Sequence, residues 1–323
     1  MSRALSGEPG RTFSLYAFRF GFRALDPLYF PPAKAGNIIR GAFGTIFRKL
    51  ACIPECTDPR TCPVRSSCPY ARMFEPRAPG QGPSGLTDRP RPFVFRASHL
   101  DGRRIQPGES FHIDVHIFDL HDPAPAYFIL TFAQLARDGL GPRRGKAELV
   151  RAHQLDEDRM PRALVFDGDA LLLGGLLPPL VFPLEPSPHP VRRVRVSFLT
   201  PTELKAGGEL ALRPEFGVLF ARIRDRLSAL ATLYGHGPLN LDFRGLAQRA
   251  ARVQLVRSSL RWMETTRRSR KTGQEHPFGG FTGEVEYEGE LAEFLPYLEA
   301  ARWAGVGRQT VWGKGEIALA VLA

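Results

Sequence analysis

Hydrophobic and polar positions along the chain follow two different periods. Residues 12–22 are dense in aromatic side chains, which predicts a strand. Residues 36–50 place an apolar side chain at every third or fourth position, which predicts a helix with one buried face. The apolar positions of that face are Ile39, Phe43, Ile46 and Leu50. The chain is therefore expected to open with a strand followed by a helix.

Four more elements are predicted in the same half of the chain. In the second of them, apolar residues alternate with His112, Asp114 and His116, as in a strand with one buried face. The third has helical periodicity and ends at Gly139, a favourable C-terminal cap. In chain order these elements are strands 91–98 and 109–118, helix 125–141 and strand 145–155. The predicted order is strand, helix, strand, strand, helix, strand.

The same order returns after residues 157–190, which are rich in proline near their end and predict a linker. The predicted elements are strand 191–204, helix 213–235, strands 251–263 and 279–289, helix 290–304 and strand 314–323. The βαββαβ order is that of the ferredoxin-like fold. We therefore predict an α+β protein with tandem ferredoxin-like (RRM-like) domains at residues 1–185 and 186–323. Residues 51–92 are predicted to be an irregular, Cys-rich insertion in the first domain.

The net charge of the chain indicates which kinds of molecule it is expected to bind. The 323 residues are 43% hydrophobic, enough for a substantial core, and carry a formal net charge of +11. A protein this basic usually binds a polyanion, either nucleic acid or an anionic membrane surface. No apolar run approaches the roughly 20 residues that span a bilayer, and the N-terminus lacks the apolar core of a signal peptide. We expect a cytoplasmic protein without a membrane segment.

A glycine-rich segment precedes the last predicted strand. Its chemistry-bearing residues are Gly305, Gly307, Arg308, Gly313, Lys314 and Gly315. Glycines can expose backbone N–H groups to phosphate oxygens. This segment follows a helix and opens a strand, the reverse of a Rossmann loop, and it lacks the Walker lysine pattern, so a nucleotide-cofactor loop is excluded. A plain tight turn with a bulge and a cradle for an RNA backbone both remain.

A second basic segment surrounds Trp262. Its cations are Arg252, Arg257, Arg261, Arg267, Arg268, Arg270 and Lys271, against the single acid Glu264. Such a run is either a solvated face or a set of phosphate contacts along RNA. The run leads from a predicted strand into a hairpin loop that can enter an RNA groove, and Trp262 could stack on a base or belong to the core.

All four cysteines lie in the irregular segment, at Cys52, Cys56, Cys62 and Cys68. Four thiolates in one loop can form a closed tetrahedral zinc site or hold an iron–sulfur cluster. The C-x3-C-x5-C-x5-C spacing is looser than paired CxxC knuckles, so free thiols remain an alternative. We expect a structural metal, zinc ahead of iron–sulfur, with no metal needed for catalysis.

Several segments together resemble the CRISPR-associated endoribonucleases of the RAMP superfamily, which cut precursor CRISPR RNA. In chain order they are PPAKAGNIIRGAFGTIFRKLAC, CTDPRTCPVRSSCPYARMFEP, ARDGLGPRRGKAEL, VSFLTPTELKAGG, RWMETTRRSRKTGQ, FGGFTGEVEYEGELAEFLPYL and GVGRQTVWGKGE. The resemblance spans nearly the whole chain. It implies two ferredoxin-like domains, a glycine-rich loop that contacts RNA, and a cysteine cluster like that of related members.

Metal-free RNA cleavage requires a base for the 2′-OH, a cation for the phosphorane and an acid for the leaving 5′-oxygen. Many members of the family place a histidine early in the chain, whereas here residues 1–98 contain none. That region offers Tyr29 as a proton shuttle, with Lys34 and Arg40 to stabilise charge. We take Tyr29 and Lys34 as candidate catalytic residues and Arg40 as an RNA contact; surface or RNA-backbone roles for all three fit the sequence equally well.

The remaining histidine candidates are His99, His112, His116 and His121. His112, Asp114 and His116 recur at steps of roughly 7 Å on one face of a predicted strand. They form an acid–base set, a metal-binding face, or simply the polar side of a half-buried strand.

The favoured hypothesis is an endoribonuclease that binds the CRISPR repeat RNA, cuts within it and leaves mature crRNA with a 2′,3′-cyclic phosphate. Repeat RNA is then the main partner, and the subunits of a CRISPR effector complex are further candidates. The alternative is a non-catalytic RAMP subunit that holds the guide RNA in such a complex, which the missing early histidine favours. A general metal-bearing RNA-binding protein is a third interpretation.

Overall fold

The structure, a computed structural model, describes residues 11–76, 89–264, 266–268, 275–277 and 279–322. It divides into two compact units. Among the described residues, those within 15–180 and at 311–313 form the N-terminal unit, and those within 11–14, 181–310 and 314–322 form the C-terminal unit. The domain boundary between residues 185 and 186 remains a prediction.

The first half of the chain contains three helices and seven strands among the described residues. In chain order they are β1 (Thr12–Ala24), β2 (Leu28–Tyr29), α1 (Ala35–Ala51), α2 (Pro69–Phe74), β3 (Phe93–Arg96), β4 (Arg104–Ile105), β5 (Ser110–Ile117), α3 (Pro125–Asp138), β6 (Ala147–Leu155) and β7 (Pro161–Phe166).

The main sheet of the N-terminal unit has the strand order β3-β5-β1-β6-β7. Every pair along this order is antiparallel. The first four strands with α1 and α3 form the βαββαβ arrangement of the ferredoxin-like fold. The side chains of β1 alternate, so that Phe18, Phe20 and Phe22 enter the core.

The core of this unit is aromatic and centres on Phe43 of α1. The Phe43 ring lies 4.6 Å from the ring of Phe132 on α3 and 5.1 Å from that of Phe95 on β3, measured between centroids. Ile39 and Ile46 are also buried, as the helical period predicts, but Leu50 is 44% exposed and the prediction for this residue is wrong. Leu50 lies in the last turn of α1, next to the point where the chain leaves the helix.

The segment after α1 is more ordered than predicted. Helix α2 forms within residues 51–92, and Met73 and Phe74 on it are buried. The Phe74 ring packs 5.1 Å from that of Phe47 on α1, so this short helix gains its stability from the aromatic core. Whether the whole segment is an insertion remains a prediction.

The second half of the chain continues the numbering with three helices and ten strands among the described residues. They are β8 (Leu180–Pro183), β9 (Arg193–Thr202), β10 (Lys205–Ala206), β11 (Glu209–Leu210), α4 (Phe216–Tyr234), α5 (Phe243–Ala250), β12 (Gln254–Ser258), β13 (Arg261–Met263), β14 (Thr266–Arg268), β15 (Glu275–Pro277), β16 (Gly280–Glu288), α6 (Leu295–Ala304) and β17 (Ile317–Leu322).

The sheet of the C-terminal unit has the strand order β12-β16-β9-β17, with β13 also paired to β16. With α4 and α6 it forms a second βαββαβ arrangement, which confirms the predicted tandem ferredoxin-like fold. Several elements were not predicted, among them β7, β8 and α5. The first two lie in the predicted linker, where β7 pairs with β6 and so acquires a partner that local composition does not reveal.

No helix among the described residues is long and apolar enough to cross a membrane.

Candidate nucleic-acid interface

The start of helix α1 is fixed by a distant carboxylate. The Asp101 Oδ1 atom accepts hydrogen bonds from the backbone N–H groups of Lys34, at 3.0 Å, and of Ala35, at 2.8 Å. These are donors that a helix N-terminus otherwise leaves without an intrahelical partner. Lys34 is the N-cap residue, so the origin of its side chain is held in place at the first turn of α1.

The same turn that carries Asp101 also positions Tyr29. Strand β2 pairs with β4, with Tyr29 opposite Arg104. The Arg104 guanidinium lies 4.9 Å from the centroid of the Tyr29 ring, within the range of a cation–π contact. The Phe30 N–H donates to the carbonyl oxygen of Arg103 at 3.1 Å. Tyr29 and Lys34 are thus both anchored to residues 101–104.

A second arginine-bearing turn packs against Tyr29. Gly141 lies so near that a Cβ atom on it would be 2.8 Å from the Tyr29 carbonyl oxygen. The Lys146 N–H donates to the Asp26 carboxylate at 2.9 Å and closes the other end of the turn. Arg143 and Arg144 are exposed at its tip.

Both turns that contact Tyr29 carry positive charge. Five exposed cations belong to them, and none forms an ion pair within the described part of the chain. They are Arg103, Arg104, Arg143, Arg144 and Lys146. Sequence analysis did not single them out; the available signal was a pair of adjacent arginines beside glycine in each turn, GRR and PRRG. Such a group of unneutralised cations attracts a polyanion.

Arg40 is oriented by aromatic rings rather than left on a solvated face. Its guanidinium lies 4.0 Å from the ring centroid of Trp312 and 5.1 Å from that of Phe74. Residues 311–313 reach this helix because glycine occupies both facing positions, and a Cβ on Gly36 would lie 2.9 Å from the Gly313 Cα. Arg40 is therefore held on the same helix as Lys34.

Two glycines of the terminal segment are required by its own packing. Gly307 and Gly315 have φ of +81° and +69°, in the left-handed region. A Cβ on Gly307 would collide with the Glu203 carbonyl oxygen, and one on Gly315 with that of Val306. The Gly305 and Gly315 N–H groups donate to the carbonyls of Ala301 and Pro201. These two N–H groups are engaged within the protein, so RNA contact by the segment remains a prediction.

Lys314 lies in the interior of the C-terminal unit. Its ammonium donates to the Gly279 carbonyl at 2.6 Å and lies 3.8 Å from the Glu203 carboxylate. Burial, reinforced by the nearby Arg308, lowers the pKa of Lys314 to about 8, although Glu203 opposes the shift. Arg308 is exposed and pairs with the other Glu203 oxygen at 2.7 Å. Direct phosphate contacts by Lys314 and Arg308 remain predictions, and the observed role of this group is to hold the segment.

The basic segment around Trp262 is exposed where the structure describes it. Arg261 is exposed and Trp262 is 42% exposed, so this tryptophan is not a core residue. The predicted contacts Arg267 and Arg268 lie on β14, which pairs with β15, and their side chains are not described. Arg270 and Lys271 lie outside the described residues.

The four cysteines lie close together and form no disulfide. Burial and the neighbouring thiols of Cys62 and Cys52 raise the pKa of the Cys56 thiol to about 11. Within residues that the structure describes, no group of three or more His, Cys, Asp or Glu side chains is arranged to hold a metal ion. The donor set suits zinc, whereas the observed arrangement of the thiols is not that of a coordination site.

The histidines of β5 are not arranged as an acid–base set. Asp114 makes two hydrogen bonds of 2.8 Å to the Arg19 guanidinium, and His116 is buried. His112 instead stacks on His99, with ring centroids 4.2 Å apart, and burial is the main cause that lowers its pKa to about 4. The fourth candidate, His121, donates its backbone N–H to Asp119 at 3.1 Å.

Fold and site together define a class of protein: a tandem ferredoxin-like protein with a cationic surface suited to RNA. Residues 196–317 match the family model of the CRISPR-associated endoribonuclease Cas6, and residues 13–174 match the N-terminal domain model AF_1859_N. An uncharacterized protein from Archaeoglobus fulgidus is 24% identical over 311 residues, which cover 94% of this chain and 98% of that protein.

Solved structures with a similar fold are also Cas6 proteins. Thermus thermophilus Cas6 (TTHB231) superimposes with a TM-score of 0.53 at 16% identity, covering 97% of this chain and 100% of that one. A Cas6 (TTHB231) product complex gives a TM-score of 0.55 at 19% identity, covering 95% and 99%. This protein contains, at residues 196–317, a domain of the family of the CRISPR-associated endoribonuclease Cas6. Its function is CRISPR precursor RNA processing by binding and cleavage of the repeat RNA.

Proposed function

We propose that this protein cuts the repeat without a metal ion, with Tyr29 and Lys34 at the reacting phosphate, and leaves a 2′,3′-cyclic phosphate. The observation that carries this assignment is the arrangement around residues 101–104. That turn anchors both candidate residues and carries exposed cations, and a second turn with exposed cations packs against Tyr29. A site that stabilises a phosphorane needs this combination of a proton-transferring group and fixed positive charge.

The chemistry is an internal displacement at phosphorus. The ribose 2′-oxygen attacks, a bond forms between that oxygen and phosphorus, and the bond from phosphorus to the 5′-oxygen of the next nucleotide breaks. The 2′-OH proton leaves with a base and the 5′-oxygen gains a proton, so the reaction consumes no water. The Tyr29 hydroxyl moves a proton, and the Lys34 ammonium stabilises the charge that develops on the phosphorane.

The direct test is incubation of the purified protein with its cognate repeat RNA in EDTA, followed by mapping of both product ends. We expect one cut, a cyclic phosphate on the upstream product and a 5′-hydroxyl on the downstream product. An RNA with a single 2′-deoxynucleotide before the cut should bind equally well and remain intact. Cleavage of that deoxy RNA, or strict dependence on added metal, contradicts the proposal.

The same experiment addresses the second candidate function, a non-catalytic subunit that holds the guide RNA. The absence of histidine from residues 1–98 favours that candidate. Tight binding of the repeat without a cut at any position would establish it.

We propose that the two arginine turns bind the RNA backbone. Replacing both Arg143 and Arg144 with alanine should weaken repeat-RNA binding about tenfold near 0.1 M salt. The variant makes fewer phosphate contacts than the wild type, so its binding displaces fewer counterions from the RNA. The slope of log affinity against log salt should become shallower by about one to two. Fluorescence anisotropy over a salt series measures both quantities.

A charge-matched control is available in the same unit. Arg137 and Arg162 are exposed and outside both turns. Their double alanine variant removes the same net charge, so equal losses in the two double variants would show a general charge effect and not a local clamp.

We propose that the four cysteines bind a structural zinc ion, and the donor chemistry supports this. All four thiols lie in one segment, and the thiol of Cys56 interacts with those of Cys52 and Cys62. Binding requires the side chains to converge, which would fasten residues 52–68 to α1 and α2. When bound, the ion would supply only cross-linking of this segment, and the cleavage chemistry does not involve it.

Zinc binding should release protons, because the raised pKa leaves the Cys56 thiol protonated at neutral pH. Elemental analysis should find about one zinc per chain, and Cys62→Ser should remove it. Cobalt substitution should give thiolate charge-transfer absorption. A protein that purifies without zinc and takes up neither ion contradicts the proposal.

Two further inferences concern the protein partners of this chain and its location in the cell. A chain of a partial Cas6-RT-Cas1–Cas2 complex is similar in fold, with a TM-score of 0.56 at 12% identity over 97% of this chain and 47% of that one. We infer that this protein likewise joins other CRISPR proteins, including those of an effector complex, and that it acts in the cytoplasm where repeat transcripts arise. Co-purification from its own cells, with and without ribonuclease treatment, tests the association.

A further inference from the structure

A pocket of about 410 Å³ lies on the N-terminal sheet, and neither Tyr29 nor Lys34 lines it. Its lining comes mainly from the three central strands, β1, β5 and β6, with Pro161 of β7. Gly21 of β1 stands opposite His112 of β5 and opposite Arg151 of β6. Since Phe20 and Phe22 enter the core between the sheet and its helices, Gly21 faces the opposite side of the sheet.

Gly21 lies next to a register shift in the pairing of β1 with β6, but neither its backbone conformation nor the space around it excludes a larger residue. Its φ is not in the left-handed region. A Cβ at this position would meet only Arg151, at 3.5 Å from its Cγ and 3.7 Å from its carbonyl oxygen, which are ordinary contacts. Glycine in the interior of a central strand weakens the strand and often marks close approach by a ligand. Because Gly21 has no side chain, the floor of the pocket is open at this position.

The walls beside this floor are flat and neutral. The His112 imidazole is backed by the His99 ring. Burial is the first cause that lowers the pKa of both His112 and His153, so both imidazoles are neutral near pH 7. Neutral imidazoles offer one hydrogen-bond donor and one acceptor each, together with a surface for stacking.

The charge in the pocket is limited to one available cation. Arg19 is held by Asp114 through two hydrogen bonds of 2.8 Å. Arg151 is exposed and has no ion pair with any residue that the structure describes. An open floor, two flat neutral rings and a single guanidinium fit a planar heteroaromatic group that carries one phosphate.

We propose that this pocket binds one unpaired ribonucleotide, with its base over Gly21 between His112 and His153 and its phosphate on Arg151. The nucleotide belongs either to a single-stranded part of the bound RNA or to a free mononucleotide. The first source rests on the proposed RNA substrate, whereas the second does not. The residues of this pocket differ from those of the proposed cleavage site, so the pocket would hold a nucleotide other than the one that is cut.

The test is Gly21→Val, which fills the floor of the pocket with a residue that strands favour. The probes are 12-nucleotide homopolymers of A, C and U and the corresponding 5′-mononucleotides, measured by anisotropy and calorimetry. We expect an unchanged or higher melting temperature and at least about a tenfold loss of affinity for the preferred probe. Arg151→Gln should weaken binding of the same probe, and Ala320→Val, which introduces the same side chain at an exposed strand position, should not.

The results distinguish the RNA chain from a free mononucleotide as the ligand, and they test the pocket independently of the proposed cleavage site. Loss of homopolymer binding alone assigns the pocket to the RNA chain, and loss of mononucleotide binding as well assigns it to free nucleotide. Equal binding by wild type and Gly21→Val, or no binding of any probe by wild type, overturns the pocket. Because these measurements need no cleavage, a protein that fails to cut its repeat leaves the result interpretable.

Discussion

Replacing Lys34 with alanine lowers the single-turnover rate of repeat-RNA cleavage by at least about 100-fold, because the variant loses a cation that acts mainly in the transition state. Affinity for uncut RNA falls much less, since a single phosphate contact is one of many. The fold is expected to survive. The Lys34 backbone N–H, and not its side chain, donates to Asp101 and supports the start of α1. Rapid mixing with excess enzyme, alongside anisotropy with deoxy-substituted RNA, separates rate from binding.

Tyr29→Phe provides the second half of this test. The variant keeps the ring that contacts Arg104 and removes only the hydroxyl, so a rate loss of about 100-fold or more reports proton transfer. Rescue of this variant by imidazole in solution would agree with that role.

The matched control for Lys34 is Lys49→Ala, at the exposed far end of the same helix. It removes the same charge and should leave the rate within about twofold, since an exposed charge at that distance is screened by salt. If Lys34→Ala and Tyr29→Phe both cut at the wild-type rate, the catalytic assignment is wrong, and Arg104 and Arg144 become the next residues to examine.

Gly315→Ala is expected to lower the free energy of unfolding of the C-terminal unit by at least about 2 kcal/mol. The added Cβ meets the Val306 carbonyl, and the residue must keep φ near +69°. For a unit of this size, that loss corresponds to roughly 4 °C or more in melting temperature. Thermal and urea unfolding followed by circular dichroism measure it.

The comparison variant is Gly174→Ala, where an added Cβ has no atom within 4 Å and φ is not in the left-handed region. This change should be neutral or slightly stabilising. If Gly315→Ala loses RNA binding while its stability equals that of wild type, the glycine serves RNA directly, and the packing explanation is wrong.

These expectations change how the glycine-rich segment is understood. Its composition alone suggests backbone N–H groups held open for phosphate. In the structure, the Gly305 and Gly315 N–H groups donate to protein carbonyls, and Lys314 points its ammonium at Gly279. The segment positions residues 311–313 and Arg308, and any RNA contact must use what that packing leaves exposed.

Local pattern was enough for most of the fold. Helix α1 and helix α4 follow directly from apolar side chains at helical spacing, and the βαββαβ order then selects one strand order in each sheet. Strand β7 and helix α5 were not predicted; α5 is amphipathic but only eight residues long, and β7 lies in the predicted linker. Strand β7 is stabilised by pairing with β6, which is a tertiary interaction.

The sequence by itself determined the class of this protein: a basic chain with two ferredoxin-like folds and an order of motifs that resembles CRISPR endoribonucleases. Only the tertiary structure placed the turns of residues 101–104 and 141–146 against Tyr29, and only it placed Gly21 between His112 and Arg151. The physical reason is the separation along the chain of the residues that interact. Periodicity and charge are set by neighbours along the chain, whereas a binding site depends on strand register and on turns packed across many residues.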